Sequence, residues 1–261
     1  MRPYEGLIFI KFLRVRAVKQ LMHVEQKPSA INLEKFKYEI FPTRLQPGRG
    51  LFVSYNRSFE YWASFWSAVM VENGATHAIN HYEFLKTDFI TVVSYEDKPI
   101  AMLLHSLFNF EQSNIKSHPY LSGEKCELFF KYVEGSKARL AMSVEYMTVD
   151  RNWRKSRTGV SLGKVMFGLG TEIQKSIGVD VSFSKAREDV KVSETVQEFG
   201  GIVLEGQVDM HNTPVAFIVL PTQKICTHPD LGVASLVKRL WAQRRDHSEA
   251  TTKNKFNQKA A

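Results

Sequence analysis

The stretch Val144–Gly163, reading VEYMTVDRNWRKSRTGVSLG, constrains the fold more than any other part of the chain. An apolar run ends in a basic, glycine-containing turn, and the turn opens directly into a helical pattern. A strand followed at once by a helix leaves free backbone N–H groups and the positive end of a helix dipole aimed at one point. Phosphate is the natural guest of such a junction.

The chain has 261 residues, enough to bury a substantial core in one large domain or one domain with appendages. Its 44% apolar and 12% aromatic content belongs to an ordinary globular protein. The early apolar run Leu7–Ile10 is broken at Lys11, too soon to span a bilayer, and no small-residue cleavage site comes after it. Cys126 and Cys226 lie far apart without CxxC spacing, as free thiols of a reducing compartment do; the expected location is cytoplasmic. A net charge of +8 implies an acidic partner. A phosphate-rich cofactor, nucleic acid, an acidic carrier protein and an anionic membrane surface all fit. Much of the excess sits near the end, in Lys238, Arg239, Arg244, Arg245, Lys253, Lys255 and Lys259.

Residues 1–48 read as an N-terminal extension of uncertain structure, with apolar and basic residues at roughly helical spacing over Leu7–Val24, and Pro42, Pro47, Gly48 and Gly50 mark a boundary. A main domain over 49–222 comes next. It opens with a strand-like run, 51–55, and a helix capped by Ser58 that carries Phe59, Trp62, Trp66, Val69 and Met70 on one stripe. That stripe reads first as core. After a short helix over 76–85, strands at 89–95 and 100–110 meet across the turn Glu96–Pro99. Residues 111–137 interrupt the rhythm as an insertion that serves equally well as a lid or as passive structure. The strand 139–149 leads into the basic turn. Beyond it a helix places Leu162, Val165, Met166, Leu169, Ile173 and Ile177 on one face and stops at Gly178. A strand at 179–183, a helix over 192–199 closed by Gly200 and Gly201, and a hairpin of 202–208 with 215–220 complete the domain. A C-terminal amphipathic helix within 223–245 is expected to dock on its own domain, and the polar, basic tail 246–261 reads as disordered. The order is that of an α/β protein with a mixed sheet.

From the strand Met142–Val149, the turn Arg154-Lys155-Ser156-Arg157-Thr158-Gly159, the helix beyond it and the closing Phe199-Gly200-Gly201-Ile202, the sequence resembles the GCN5-related N-acetyltransferase (GNAT) superfamily over residues 50–221. The family turn reads Gln/Arg-x-x-Gly-x-Gly/Ala. Arg154 and Gly159 match its first and last positions, while Arg157 stands where the first glycine is expected. The resemblance implies a GNAT-like central twisted sheet flanked by helices, with a strand–phosphate turn–helix–strand unit. It also implies an acyl-coenzyme A co-substrate, acetyl-CoA or another, held by Val149, Arg154, Lys155, Ser156, Arg157, Thr158 and Gly159, its pyrophosphate on their backbone N–H groups. The Arg157 side chain either adds a phosphate contact or narrows the site. Gly163, Gly168 and Gly170 serve either close approach of the cofactor or tight helix–sheet packing.

The family moves an acyl group directly from thioester to amine, so a base, a carbonyl-polarising group and an acid are needed. Relatives often draw the base from a glutamate on the strand before the turn, and Glu145 is its counterpart; a structural carboxylate is the competing reading. Relatives also carry a bulge in this strand, which re-aims the residues beyond it. Their acid is often a tyrosine ahead of the closing glycine, where this chain has Phe199. Tyr120, Tyr146 and His105 are the replacements the sequence offers. His77 and His81 share helical spacing but have no third ligand, so no metal is expected. The first reading is an N-acyltransferase acting on a small-molecule or peptide amine. A second is an N-acyl amino acid or acyl-homoserine-lactone-type synthase taking its acyl chain from acyl carrier protein, which the apolar insertion and basic surface would suit. The third is a non-catalytic acyl-CoA sensor or a nucleic-acid-binding protein, with nucleic acid the weaker of these.

Overall fold

The computed structural model describes residues 31–44, 50–74, 79–121, 126–153, 159–210 and 213–248. In chain order the elements are β1 (Phe36–Pro42), α1 (Phe52–Glu72), α2 (Tyr82–Leu85), β2 (Phe89–Tyr95), β3 (Lys98–His105), β4 (Leu107–Asn109) and α3 (Glu127–Ser136). Then come β5 (Leu140–Ser143), β6 (Glu145–Val149), α4 (Leu162–Ile177), β7 (Val181–Arg187), α5 (Val192–Gln197), β8 (Ile202–Met210), β9 (Thr213–Pro221), α6 (Leu231–Ala242) and β10 (Arg245–Asp246).

The strands make two five-stranded sheets, ordered β10-β1-β2-β3-β6 and β4-β5-β7-β9-β8. Pairing is antiparallel except for β1 with β10 and β5 with β7. Two stretches of chain pass from one sheet to the other. Ser106 separates β3 from β4, and Val144 separates β5 from β6. The crossing points are tied together, because the Ser143 N–H donates to the Ser106 carbonyl at 2.9 Å and the Val144 N–H to the Phe183 carbonyl at 2.8 Å. The two sheets are therefore halves of one mixed, twisted surface that forks at Ser106 and Val144. Residues 139–149, which read as a single strand, are divided by this fork.

Three further readings are corrected. Residues 36–42, grouped by sequence with the N-terminal extension, are β1, paired along its length with β2. This strand is covered on both sides: Tyr38 lies against Trp241 of α6, and Phe41 against Tyr55 of α1. A strand buried on both faces shows no alternation to read. Residues 52–55, read as a strand, are the first turn of α1, with the Tyr55 N–H bonded to the Leu51 carbonyl at 3.0 Å. The aromatic stripe simply continues backward through Tyr55, whose ring meets Phe84 at 5.9 Å. Ser58 is thus no cap but an interior residue, its hydroxyl donating to the Ser54 carbonyl at 2.8 Å. Of the short helix over 76–85 the structure keeps Tyr82–Leu85, while residues 75–78 lie outside the described residues.

Two aromatic cores hold the fork. Trp62, Phe84, Phe41, Ile90, Met102 and Leu104 pack between α1, α2 and the first sheet. Phe108, Phe129, Phe183, Phe217, Val181 and Val219 pack between α3 and the second sheet. The insertion 111–137 therefore supplies a core element, with Phe129 stacked at 4.3 Å on Phe183. On the opposite side α4 buries its apolar face and is pinned to β9 by Gln174, whose amide donates to the Leu220 carbonyl at 2.8 Å. Helix α6 docks as expected, burying Val233, Leu236 and Leu240. It comes so close to α4 that a Cβ on Gly168 would stand 2.6 Å from a Val237 methyl carbon. Helix packing, not cofactor approach, accounts for that glycine.

Candidate active site

Beyond Val144 the strands diverge. β6 pairs with β3 on one side only, and the pairing of β5 with β7 ends at Ser143 and Phe183. Among the described residues Ser184–Arg187 of β7 then pair with β9 alone. Two unpaired strand edges face each other across a wedge whose apex is Val144. Each edge carries backbone N–H and C=O groups that a guest can satisfy.

The β6 edge is shaped by a bulge. Met102 pairs with Thr148 but Leu104 with Glu145, so β6 carries one extra residue, and Tyr146 takes a left-handed φ of 51°. That conformation costs a residue with a Cβ about 1–2 kcal/mol. Its surroundings hold it. Trp62 and Trp66 meet the Tyr146 ring edge-on at 5.6 and 5.0 Å, and its hydroxyl donates to Glu83 Oε2 at 2.7 Å. The Thr148 hydroxyl donates to the Tyr146 carbonyl at 2.8 Å and accepts from Trp66 Nε1 at 2.9 Å. Thr148→Val removes both bonds from a buried position, so a loss of about 1–3 kcal/mol is expected in chemical denaturation.

Glu145 sits at the apex and is only 3% exposed. Its Oε1 accepts from the Ser143 hydroxyl at 2.6 Å and the Ser106 hydroxyl at 3.1 Å, while Oε2 is buried with no hydrogen-bond partner among the described residues. Burial raises its pKa above the ordinary carboxylate range. The two hydroxyls and the Lys86 charge oppose that shift, and Glu83 adds to it. Such a carboxylate is a stronger base than one in water. Alternation along the strand already put Ser143 on the face of Glu145; the sequence missed Ser106, which only the fork brings to the same carboxylate.

Of the three replacement acids, His105 is the least suited. It is fully buried, stacked at 4.8 Å on Phe89, and placed between the Ser143 carbonyl at 3.1 Å and the Thr91 hydroxyl at 3.3 Å. Burial pushes its pKa down to about 4, so it is neutral scaffolding at physiological pH. Tyr146 is committed to Glu83. Tyr120 differs, since it meets Lys185 of β7, whose Nζ donates to its carbonyl at 3.2 Å, and its pKa is raised by burial first and by the Glu145 charge second. Phe199 is buried against Phe167 at 5.4 Å and His228 at 5.0 Å.

Val149 is the last residue of β6, and Gly159 is the first described residue before α4. Gly159 has a φ of +73°, and nothing lies within 4 Å of where a Cβ would be, so the backbone there is open to approach. Ser161 caps α4 by accepting from the Lys164 N–H at 3.4 Å. Arg154, Lys155, Ser156, Arg157 and Thr158 lie outside the described residues, as does His77. His81 packs edge-on against Phe59 at 5.1 Å.

No family profile and no curated protein matches the sequence. Solved structures do match. An N-acyl amino acid synthase from uncultured soil microbes superposes with a TM-score of 0.51 at 9% identity, over 72% of this chain and 91% of its own. A mosquito arylalkylamine N-acetyltransferase (like 5b) gives 0.51 at 11% identity, over 71% of this chain and 100% of its own. The chain has the GNAT fold. The forked sheet and the helix after its bulged strand are thus a GNAT-like arrangement, carried by a sequence only 9% and 11% identical to these structures. Among the described residues no helix is long and apolar enough to cross a membrane.

Proposed function

We propose that this protein is an acyl-CoA-dependent N-acyltransferase with Glu145 as its general base. The observation that carries the reading is the buried Glu145 carboxylate, one oxygen without a partner, at the apex of the wedge and beside the bulge of Tyr146. In this reading the acyl-pantetheine arm enters between the open edges of β6 and β7. The pyrophosphate lies on the turn Arg154–Gly159, with Lys155, Ser156, Arg157 and Thr158 between, where the positive end of α4 favours its charge. Val149 flanks the arm.

The chemistry is one displacement. The amine nitrogen attacks the thioester carbonyl, a C–N bond forms and the C–S bond breaks. Glu145 takes the proton that the amine loses, and the Tyr120 hydroxyl gives one to the departing thiolate. Solvent then returns the proton from Glu145 to Tyr120, leaving an amide and a free thiol.

Titrating the full chain with acetyl-CoA and coenzyme A by calorimetry, and following thiol release with a panel of amines, tests the proposal. Binding of acetyl-CoA and turnover with at least one amine are expected. Gly159→Val should weaken acetyl-CoA binding by about tenfold or more, since a branched side chain is strained at that φ and stands where phosphate approaches. Absence of coenzyme A binding, with turnover from acyl carrier protein, would replace the donor. Tight binding without turnover of any amine would make the protein a sensor.

A further inference from the structure

Around Tyr120 of the insertion stand two cations, Lys86 after α2 and Lys185 of β7, while Glu83 of α2 reaches Tyr146 next to Glu145. Their charges do not balance. Glu83 is neutralised locally, for Lys86 Nζ lies 2.6 Å from its carboxylate and the Tyr146 hydroxyl 2.7 Å. Arg187, two residues further along β7, is paired with Asp189 through its Nε at 2.9 Å. Lys185 is different. Its ammonium stands 4.9 Å from the centre of the Tyr120 ring and donates to the Tyr120 carbonyl at 3.2 Å, with no carboxylate beside it among the described residues. Lys86 approaches the same ring at 5.9 Å.

Among the described residues this half-buried ammonium is held by one carbonyl and an aromatic face, with donors to spare and no paired carboxylate. Such a site repels a second cation and attracts an anion. A diamine or polyamine would bring its distal ammonium toward Lys185 and Lys86. An amino acid would bring a carboxylate there instead.

We propose that the acyl acceptor is an amino acid, its carboxylate held by Lys185 at the open edge of β7 while its amine faces Glu145. This rests on the acyltransferase reading and narrows its substrate class. Tyr120 then has two tasks, because its ring and carbonyl orient Lys185 while its hydroxyl faces the departing sulfur.

The test compares amino acids with the matching decarboxylated amines and amino acid amides, using acetyl-CoA and the full-length chain. The readout is the ratio of kcat/KM for the acid to that for the amine. A ratio of roughly ten- to a hundredfold in favour of the acid is expected, the range a charge-assisted hydrogen bond can supply. Lys185→Met should collapse the ratio toward one, and Lys185→Arg should keep most of it. Since the measure is a ratio within one variant, partial loss of folded protein does not alter it. A ratio near one in the wild type, or one unchanged in Lys185→Met, overturns the inference while leaving an N-acyltransferase standing. Preference for diamines overturns it too. Failure to acylate any amine or amino acid is the distinct outcome that removes the underlying reading.

Discussion

Glu145→Gln is expected to lower kcat/KM by roughly 10²–10⁴-fold, the usual contribution of a positioned general base. The amide keeps an oxygen for the Ser143 and Ser106 hydroxyls and nearly the same volume, so the fork should survive and the loss should be chemical. In the wild type, kcat/KM should fall on the acid side with an apparent pKa above the ordinary carboxylate value, because burial raises that of Glu145. The variant should lack this limb. Stability supplies an independent check. A carboxyl whose pKa is raised by folding stabilises the native state below its unfolded pKa and loses that contribution as pH rises through the folded value. Wild-type stability should therefore fall relative to Glu145→Gln over that window, with the two curves parallel above it. Unchanged turnover in Glu145→Gln would remove Glu145 as the base.

Gly200→Ala is expected to cost about 3–5 kcal/mol, near the upper end for a single substitution. Gly200 has a φ of +96°, and a Cβ there would stand 2.1 Å from the Lys224 carbonyl oxygen and 3.0 Å from its carbon. The clash is with backbone, so no rotamer relieves it. For a chain of this size each kcal/mol moves the melting temperature by about 2–4 °C, so a drop of roughly 10 °C should be seen. Gly135→Ala is the matched control. It lies in α3 with nothing within 4 Å of the new carbon, and exchanging glycine for alanine inside a helix should be neutral or gain up to about 1 kcal/mol. Equal melting temperatures for the two variants would mean that the chain after α5 does not pack as described.

The sequence was most legible where a local rule acts alone. The helix 162–177 was evident from its apolar period and from Gly178, which stops it in a left-handed conformation with φ +78°. The hairpin of β2 and β3 was evident from Glu96 and Asp97, which turn with φ of 50° and 63°. Reading failed where burial from two sides erased the pattern, as in β1, and where one continuous apolar run serves two sheets, as at Val144. The aromatic stripe of α1 was correctly taken as core, but its start was misplaced by the choice of Ser58 as cap.

Taken alone, the chain determined that a strand and a helix flank a basic, glycine-bearing segment and that Glu145 lies on that strand. Those facts depend on neighbours in sequence. Only the tertiary structure decided that the strand forks at Val144, that Tyr146 bulges, and that Ser106 and Ser143 converge on Glu145 with one oxygen left over. Lys86, Tyr120 and Lys185 likewise come from three separate segments. Their meeting depends on how a twisted sheet splits and what packs on each half, and no spacing along a chain encodes that.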